Sequence, residues 1–211
     1  MPPNTKENIL QAAIRVFAQK GYKGATVREI GQAAGAANLS AVTYHFKGKE
    51  NLYRAVLEFM FQDTQRHMPE EKICPETLSP EEMLEIFILT YMKVIYVMDT
   101  RLDTDLAAVF SKEITHPSPF FTEMVETYIA PGMGDLHEIL KQIIGREVPQ
   151  EVILDCQDSI MGQIYYHLIA WSLISRVHPD RAPAHTRIEA AARHIFTFTM
   201  GGLRAVQQKN H

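Results

Sequence analysis

Along most of the chain apolar residues recur at three- and four-residue steps, and no stretch alternates with the two-residue period of a strand. The pattern predicts an all-α protein. The first amphipathic stretch runs from residue 4 to 20. Ile9, Ala12, Ala13, Val16 and Phe17 share one face, Asn4 or Thr5 can cap the start, and Gly21 stops it. Thr26 and Glu29 have capping-box spacing, in which a hydroxyl takes an orphan backbone N–H and a carboxylate reaches back. Val27, Ile30, Ala33 and Ala34 then give the apolar face of a short second helix, ended by Gly35, which can turn left-handed without a Cβ penalty. A third short helix, capped near Asn38, points Leu39, Val42 and Phe46 inward and leaves Ser40, Ala41, Thr43, Tyr44 and His45 facing out. Helices this short need bracing. Two of them joined by a glycine turn and braced by a third have the geometry of a DNA-binding helix-turn-helix.

A fourth helix starts near Lys49 and continues through Leu52, Val56, Phe59 and Met60 to about His67. Pro69, Glu70-Glu71-Lys72, Pro75 and Ser79-Pro80 then form a charged, proline-bearing link, where composition best marks a boundary. The later helices are expected over Met83 to Met98, Leu102 to Ile114, Phe120 to Tyr128, Leu136 to Ile144, Val148 to Val177, and Thr186 to about Gln208. Pro117 and Pro119 break the chain, and Pro131-Gly132 is expected to kink or interrupt the helix before Leu136. A three-helix head is assigned to residues 1–50 and a helical body to residues 51–211.

Charge sharpens this division. The 211 residues carry a net −4, yet residues 1–50 hold seven lysines and arginines against three glutamates, a net +4 that leaves −8 for the rest. A basic head on an acidic body confines the attraction for phosphate to one end. No segment reaches the apolar length of a membrane span, and the N-terminus lacks a signal peptide's apolar region, so a soluble, cytoplasmic protein is expected. Cys74 and Cys156 belong to no CxxC or Cys/His cluster and are expected as reduced thiols. HExxH, GxSxG and glycine-rich phosphate-loop patterns are absent. The reading is therefore of a protein that is not an enzyme and calls for no cofactor and no metal.

Val27-Arg28-Glu29-Ile30, the Ala34-Gly35 turn, Tyr44-His45-Phe46, Lys49-Glu50 and Leu52 resemble the N-terminal domain of the TetR family of transcriptional regulators. Ile9-Leu10, Ala12-Ala13, Phe17 and Gly21-Tyr22 are similar to that family's first helix. The likeness covers residues 5 to about 57, with one residue more than usual in Ala36-Ala37-Asn38, between the turn and the Tyr-His-Phe. Further on, Phe110 to Ile114, Pro117-Ser118-Pro119-Phe120, Tyr128-Ile129, Pro131, Met161-Gly162-Gln163 and Tyr165-Tyr166 resemble the C-terminal domain of the CecR-like branch.

The resemblance implies that Tyr44, His45 and Lys49 take phosphate-contacting positions on double-stranded DNA. It places Thr43 and Ala41 near base edges, with Ser40 and Asn38 as weaker candidates. Physical chemistry adds that Lys49 sits at a helix start, where its ammonium and the free N–H groups can grip one phosphate together; Thr26 and Arg28 can do so from the second helix. Tyr44 and His45 can alternatively cover the small head core. One head reads too few base pairs for an address in a genome, so a homodimer on a palindromic operator is expected. In the last helix Ile188, Ala191, Ala192, Ile195, Thr199, Gly202 and Ala205 form a stripe that can meet a second copy or pack within its own chain.

The resemblance further implies a ligand-sensing body, and a pocket lined by Phe87, Tyr91, Phe110, His116, Phe120, Met124, Tyr128, His167 and Trp171 would suit a small apolar or aromatic effector. Each of these side chains also fits ordinary core packing. The resulting expectation is a ligand-responsive repressor. The rival reading is a helical small-molecule carrier whose lengthened turn has disabled the head.

Overall fold

The computed structural model describes residues 5–35, 40–66, 77–101 and 103–209, and these are helical with short connections. Ten α-helices occur among them: α1 (Thr5–Gly24), α2 (Val27–Ala33), α3 (Ser40–Phe46), α4 (Lys49–Arg66), α5 (Pro80–Arg101), α6 (Asp103–Thr115), α7 (Phe121–Met124), α8 (Ala130–Ile144), α9 (Gln150–Val177) and α10 (Ile188–Lys209). The all-α expectation holds. The proposed cap at Asn38, the three-residue turn before it and most of the proline-bearing link lie outside the described residues.

Two compact units form. The first comprises residues 1–66 and 98–126, and the second residues 67–97 and 127–211. The first thus takes in more chain than the expected head of residues 1–50, because α6 packs along α1 beside α2 and α4. Its core holds the expected stripe of α1, with Ile30, Val42, Phe46, Leu52, Val56 and Met60. Phe17 is fully buried, edge-on to Tyr53 with ring centroids 4.6 Å apart. Burying such a side chain stabilises by about 1.5–3 kcal/mol. Ala33, expected inward, is exposed, and Gly31 is buried instead.

Helix starts and stops follow local chemistry. Gly21 interrupts the α1 geometry with φ 68° and ψ 175°, so the regular helix ends there and one further turn follows. Gly35 takes the left-handed conformation expected of it, at φ 63°. A second capping box, unforeseen in the sequence reading, starts α5: the Ser79 N–H and hydroxyl both donate to Glu82 Oε2 at 2.7 Å, and the Glu82 N–H donates back to Ser79 Oγ at 3.3 Å. Its S-x-x-E spacing was available in the sequence.

The second unit packs α5, α8, α9 and α10 around Leu84, Ile88, Met92, Leu136, Leu140 and Ile164. The interruption expected at Pro131-Gly132 takes another form. A π-helical turn, Val125–Ile129, leads directly into α8, with Pro131 in that helix's first turn. Pro131 cannot donate to the preceding turn, and it is that turn that widens to π-helical geometry while the chain continues into α8. The α10 stripe also divides. Ala191, Ala192, Ile195 and Thr199 are buried within their own chain, while Gly202 and Ala205 are exposed. Small residues at helical spacing suit either neighbour, and here the helix presents them to its own core.

Candidate nucleic-acid interface

The head's exposed chemistry gathers on α2, α3 and the start of α4. Thr26 caps α2 in a complete box: the Glu29 N–H donates to Thr26 Oγ1 at 3.3 Å, and Glu29 Oε2 accepts from the Thr26 N–H at 3.0 Å and its hydroxyl at 2.9 Å. Lys20 adds a brace absent from the sequence reading, its Nζ lying 2.6 Å from Glu29 Oε1. The bonds from Lys20 and then from Thr26 hold the Glu29 carboxyl below the usual carboxylate range. Both Thr26 donors are thus engaged within the cap. The Arg28 side chain is exposed on the following turn.

In α3 Val42 and Phe46 are buried against the head core, as their spacing requires, which turns Thr43 and Tyr44 outward. Tyr44 is 81% exposed, so it does not cover the core. His45 and Ala41 are half-buried, and the His45 ring meets Tyr44 edge-on at 5.1 Å. Ser40 opens α3, with its side chain outside the described residues, as is Asn38 altogether. After Phe46 the chain turns through two positive φ values, 58° at Lys47 and 135° at Gly48. The Lys47 N–H closes the end of α3 by donating to the Thr43 carbonyl at 2.8 Å.

Lys49 opens α4 with its ammonium 4.7 Å from the centre of the Tyr22 ring and 3.5 Å from the Lys23 carbonyl oxygen. The attraction of a cation for a ring face holds the side chain at the helix start, where the free N–H groups lie. Burial first, and the nearby Glu50 charge second, raise the Tyr22 phenol above its ordinary value. Thr26, Arg28, Ala41, Thr43, Tyr44, His45 and Lys49 therefore come from three successive short segments braced by one small core. That arrangement can offer hydroxyl, imidazole, guanidinium and ammonium groups to a phosphate backbone, with Thr43 available to base edges.

The nine residues considered for an effector do not all assemble in one unit. Phe110, His116, Phe120 and Met124 belong to the first, and Phe87, Tyr91, Tyr128 and Trp171 to the second. Phe120 is buried 5.4 Å from Tyr22 and 6.3 Å from Tyr53, with the Arg54 guanidinium 4.6 Å above its ring. His116 is exposed, and Phe110 is buried beside Phe61. In the second unit Phe87 stacks on Tyr91 at 4.3 Å, and burial followed by the Asp135 charge pushes the Tyr91 phenol up to about 12. The His167 side chain is outside the described residues, while Tyr128 and Trp171 are half-buried.

Comparison with known proteins bears on this head. Residues 9–56 match the family described as bacterial regulatory proteins, tetR family. Residues 80–203 match the C-terminal domain of the HTH-type transcriptional dual regulator CecR. The chain belongs to the TetR family of transcriptional regulators. Among TetR-family relatives, it is 27% identical over 129 residues to the Probable HTH-type transcriptional regulator YttP of Bacillus subtilis, covering 61% of this chain and 59% of that protein. It is 29% identical over 145 residues to the dual regulator CecR of Shigella flexneri, covering 66% of this chain and 62% of that one. These alignments thus span about three-fifths of each relative's length. The fold matches that of the transcriptional regulator FadR from Bacillus subtilis, solved in complex with stearoyl-CoA, with a TM-score of 0.62 at 20% identity over 93% of this chain and 98% of that one. Among the described residues no helix is long and apolar enough to cross a membrane.

Proposed function

We propose that this TetR-family regulator is a ligand-responsive repressor that binds a palindromic operator as a homodimer. Residues 1–50 read DNA, and residues 51–211 dimerise and sense a small apolar or aromatic effector. The reading rests on one observation above all: Thr43 and Tyr44 stand exposed on α3, between the capped start of α2 and Lys49 at the start of α4. Lys49, Tyr44, His45, Arg28 and the α2 terminus supply the sequence-independent grip, and Thr43 with Ala41 supplies the choice among base pairs.

Dimerisation finds support in the second unit. Along α9 Tyr166, Ile169, Leu173 and Val177 are 47–60% exposed, and on α10 Phe198 is 68% exposed. Gly162, Gly201 and Gly202 have open space where a Cβ would stand. Large exposed apolar side chains beside open glycines suit close approach by another helix pair. The dimer face is therefore read from the outward side of α9 and α10, centred on Phe198, rather than from Ala191 and Ile195.

The test is binding of the purified chain to the DNA flanking its own gene, at two salt concentrations, against a scrambled duplex. Selective, salt-sensitive binding by two chains per site is the expected result. Equal, weak binding to both duplexes, repeated with the products of a random-library selection, would overturn the assignment.

A further inference from the structure

The first unit contains a recess of about 550 Å³ that the DNA-reading residues do not explain. One wall is the end of α1, from Lys20 to Lys23, and the other is the end of α6 with the loop after it, from Lys112 to Ser118. The aliphatic stem of Lys112 lies against the Gly21 backbone, where a Cβ would meet its Cδ at 3.7 Å.

The charges around this recess are unevenly satisfied. Glu113 is 1% exposed; its Oε1 accepts from the Tyr53 hydroxyl, and its Oε2 accepts from the Ser118 N–H at 3.1 Å and the Ser118 hydroxyl at 2.9 Å. Glu29 is held by Lys20 at 2.6 Å. Among the described residues, by contrast, neither the Lys23 nor the Lys112 ammonium has an acidic partner or a hydrogen bond. His116 stands with them, its Nδ1 3.1 Å from Thr115 Oγ1. The Glu113 and Glu29 carboxylates are thus engaged, while two ammonium groups and an imidazole edge remain at the recess.

We infer that this recess is a binding site for a phosphate group, held by Lys23, Lys112 and His116. Phosphate offers several acceptor oxygens and two negative charges, and charge-assisted bonds to ammonium groups are the strong class of hydrogen bond. A singly charged or neutral ligand would leave one of the two ammonium groups unmatched. The phosphate can belong to a free phosphorylated small molecule or to the DNA backbone, and the two sources separate by experiment.

Inorganic phosphate titrated into the full chain without DNA, in chloride buffer, is the first measurement. Saturable uptake near one phosphate per chain is expected, weakened about tenfold or more in Lys112→Gln and in Lys23→Gln, and unchanged in Lys209→Gln on α10. The second measurement is the slope of log affinity against log salt on a mixed-sequence duplex, for the wild type and Lys112→Gln. Lost phosphate uptake with an unchanged slope assigns the site to a free phosphorylated molecule. A slope shallower by about 0.9 assigns it to one backbone phosphate. Absent uptake together with equal slopes overturns the site, as does uptake that survives in both lysine variants.

Discussion

At the scale of single residues, the proposed function divides the head into groups that grip DNA and groups that choose it. Under that proposal Lys49→Ala removes one phosphate contact, so affinity should fall on every duplex and the salt slope should become shallower by about 0.9. Thr43→Ala should instead reorder the ranking of operator sequences while leaving the slope unchanged, since the proposed function assigns its hydroxyl and methyl to base edges. Parallel titrations of both variants over a set of duplexes check the pair, and identical rankings with identical slopes would refute the placement. Lys47 sits at φ 58°, a conformation that costs a side-chain-bearing residue roughly 1 kcal/mol. Lys47→Gly should therefore raise unfolding stability by up to about 1 kcal/mol, as read from the urea midpoint.

Buried phenols set a further residue-scale expectation. Burial first, then the Glu113 hydrogen bond, raises Tyr53 above the ordinary phenol value of 10.0. Burial raises Tyr165 as well, and Tyr91 reaches about 12. In the unfolded chain these groups lose protons near pH 10 while the folded chain keeps them, so unfolding releases protons and stability falls as pH rises. The stability is fully present below about pH 10. For Tyr91 the loss runs from there to about pH 12. Urea midpoints measured across this range should decline, and Tyr91→Phe should flatten the decline.

At the scale of elements, the passage from the π-helical turn into α8 depends on one glycine. A Cβ on Gly132 would lie 1.9 Å from the Tyr91 hydroxyl oxygen and 3.0 Å from its Cζ. Tyr91 is stacked on Phe87 and cannot swing aside without breaking that pair. Gly132→Ala should therefore destabilise by about 1–3 kcal/mol, the ordinary cost of overpacking. Adding Tyr91→Phe removes the nearest atom and should recover part of the loss; thermal melts of the single and double variants measure it. The aromatic cluster of Phe17, Tyr22, Tyr53 and Phe120 is another element-scale feature, joining α1 and α4 to the residue that precedes α7.

At the scale of the molecule, the proposed dimer rests on the outward face of α9 and α10. Phe198→Asp places a charge at its centre without touching the chain's own core, since Phe198 is largely exposed. The expected outcome is a helical monomer in sedimentation with weakened operator binding, because a single head loses the second half-site. A variant that remains dimeric would move the interface elsewhere. The uneven charge, +4 in residues 1–50 against −8 in the remainder, should also keep the attraction for DNA at the head as ionic strength falls.

The sequence alone determined whatever depends on local periodicity and local hydrogen bonding. The helix stripes of Ile9 to Phe17 and of Leu52 to Met60, the Thr26–Glu29 cap and the Gly35 turn are each decided by residues within about one or two turns. The exposure of Thr43 followed from the same reasoning, since burying Val42 and Phe46 turns it outward, whereas Tyr44 could also have covered the head core and only the structure turned it out. Only the tertiary structure decided which neighbour an apolar face meets. Phe120 and Phe87 look alike in sequence, yet one packs on Tyr22 and Tyr53 in the first unit and the other on Tyr91 in the second. Ala191 and Ile195 could have met a second copy, but their own chain buries them. The Lys20–Glu29 brace, the Tyr53–Glu113 bond and the seat of Lys49 on Tyr22 link residues on different elements. Hydrophobic attraction carries no direction, so periodicity fixes that a face is buried, and the packing of whole helices fixes against what.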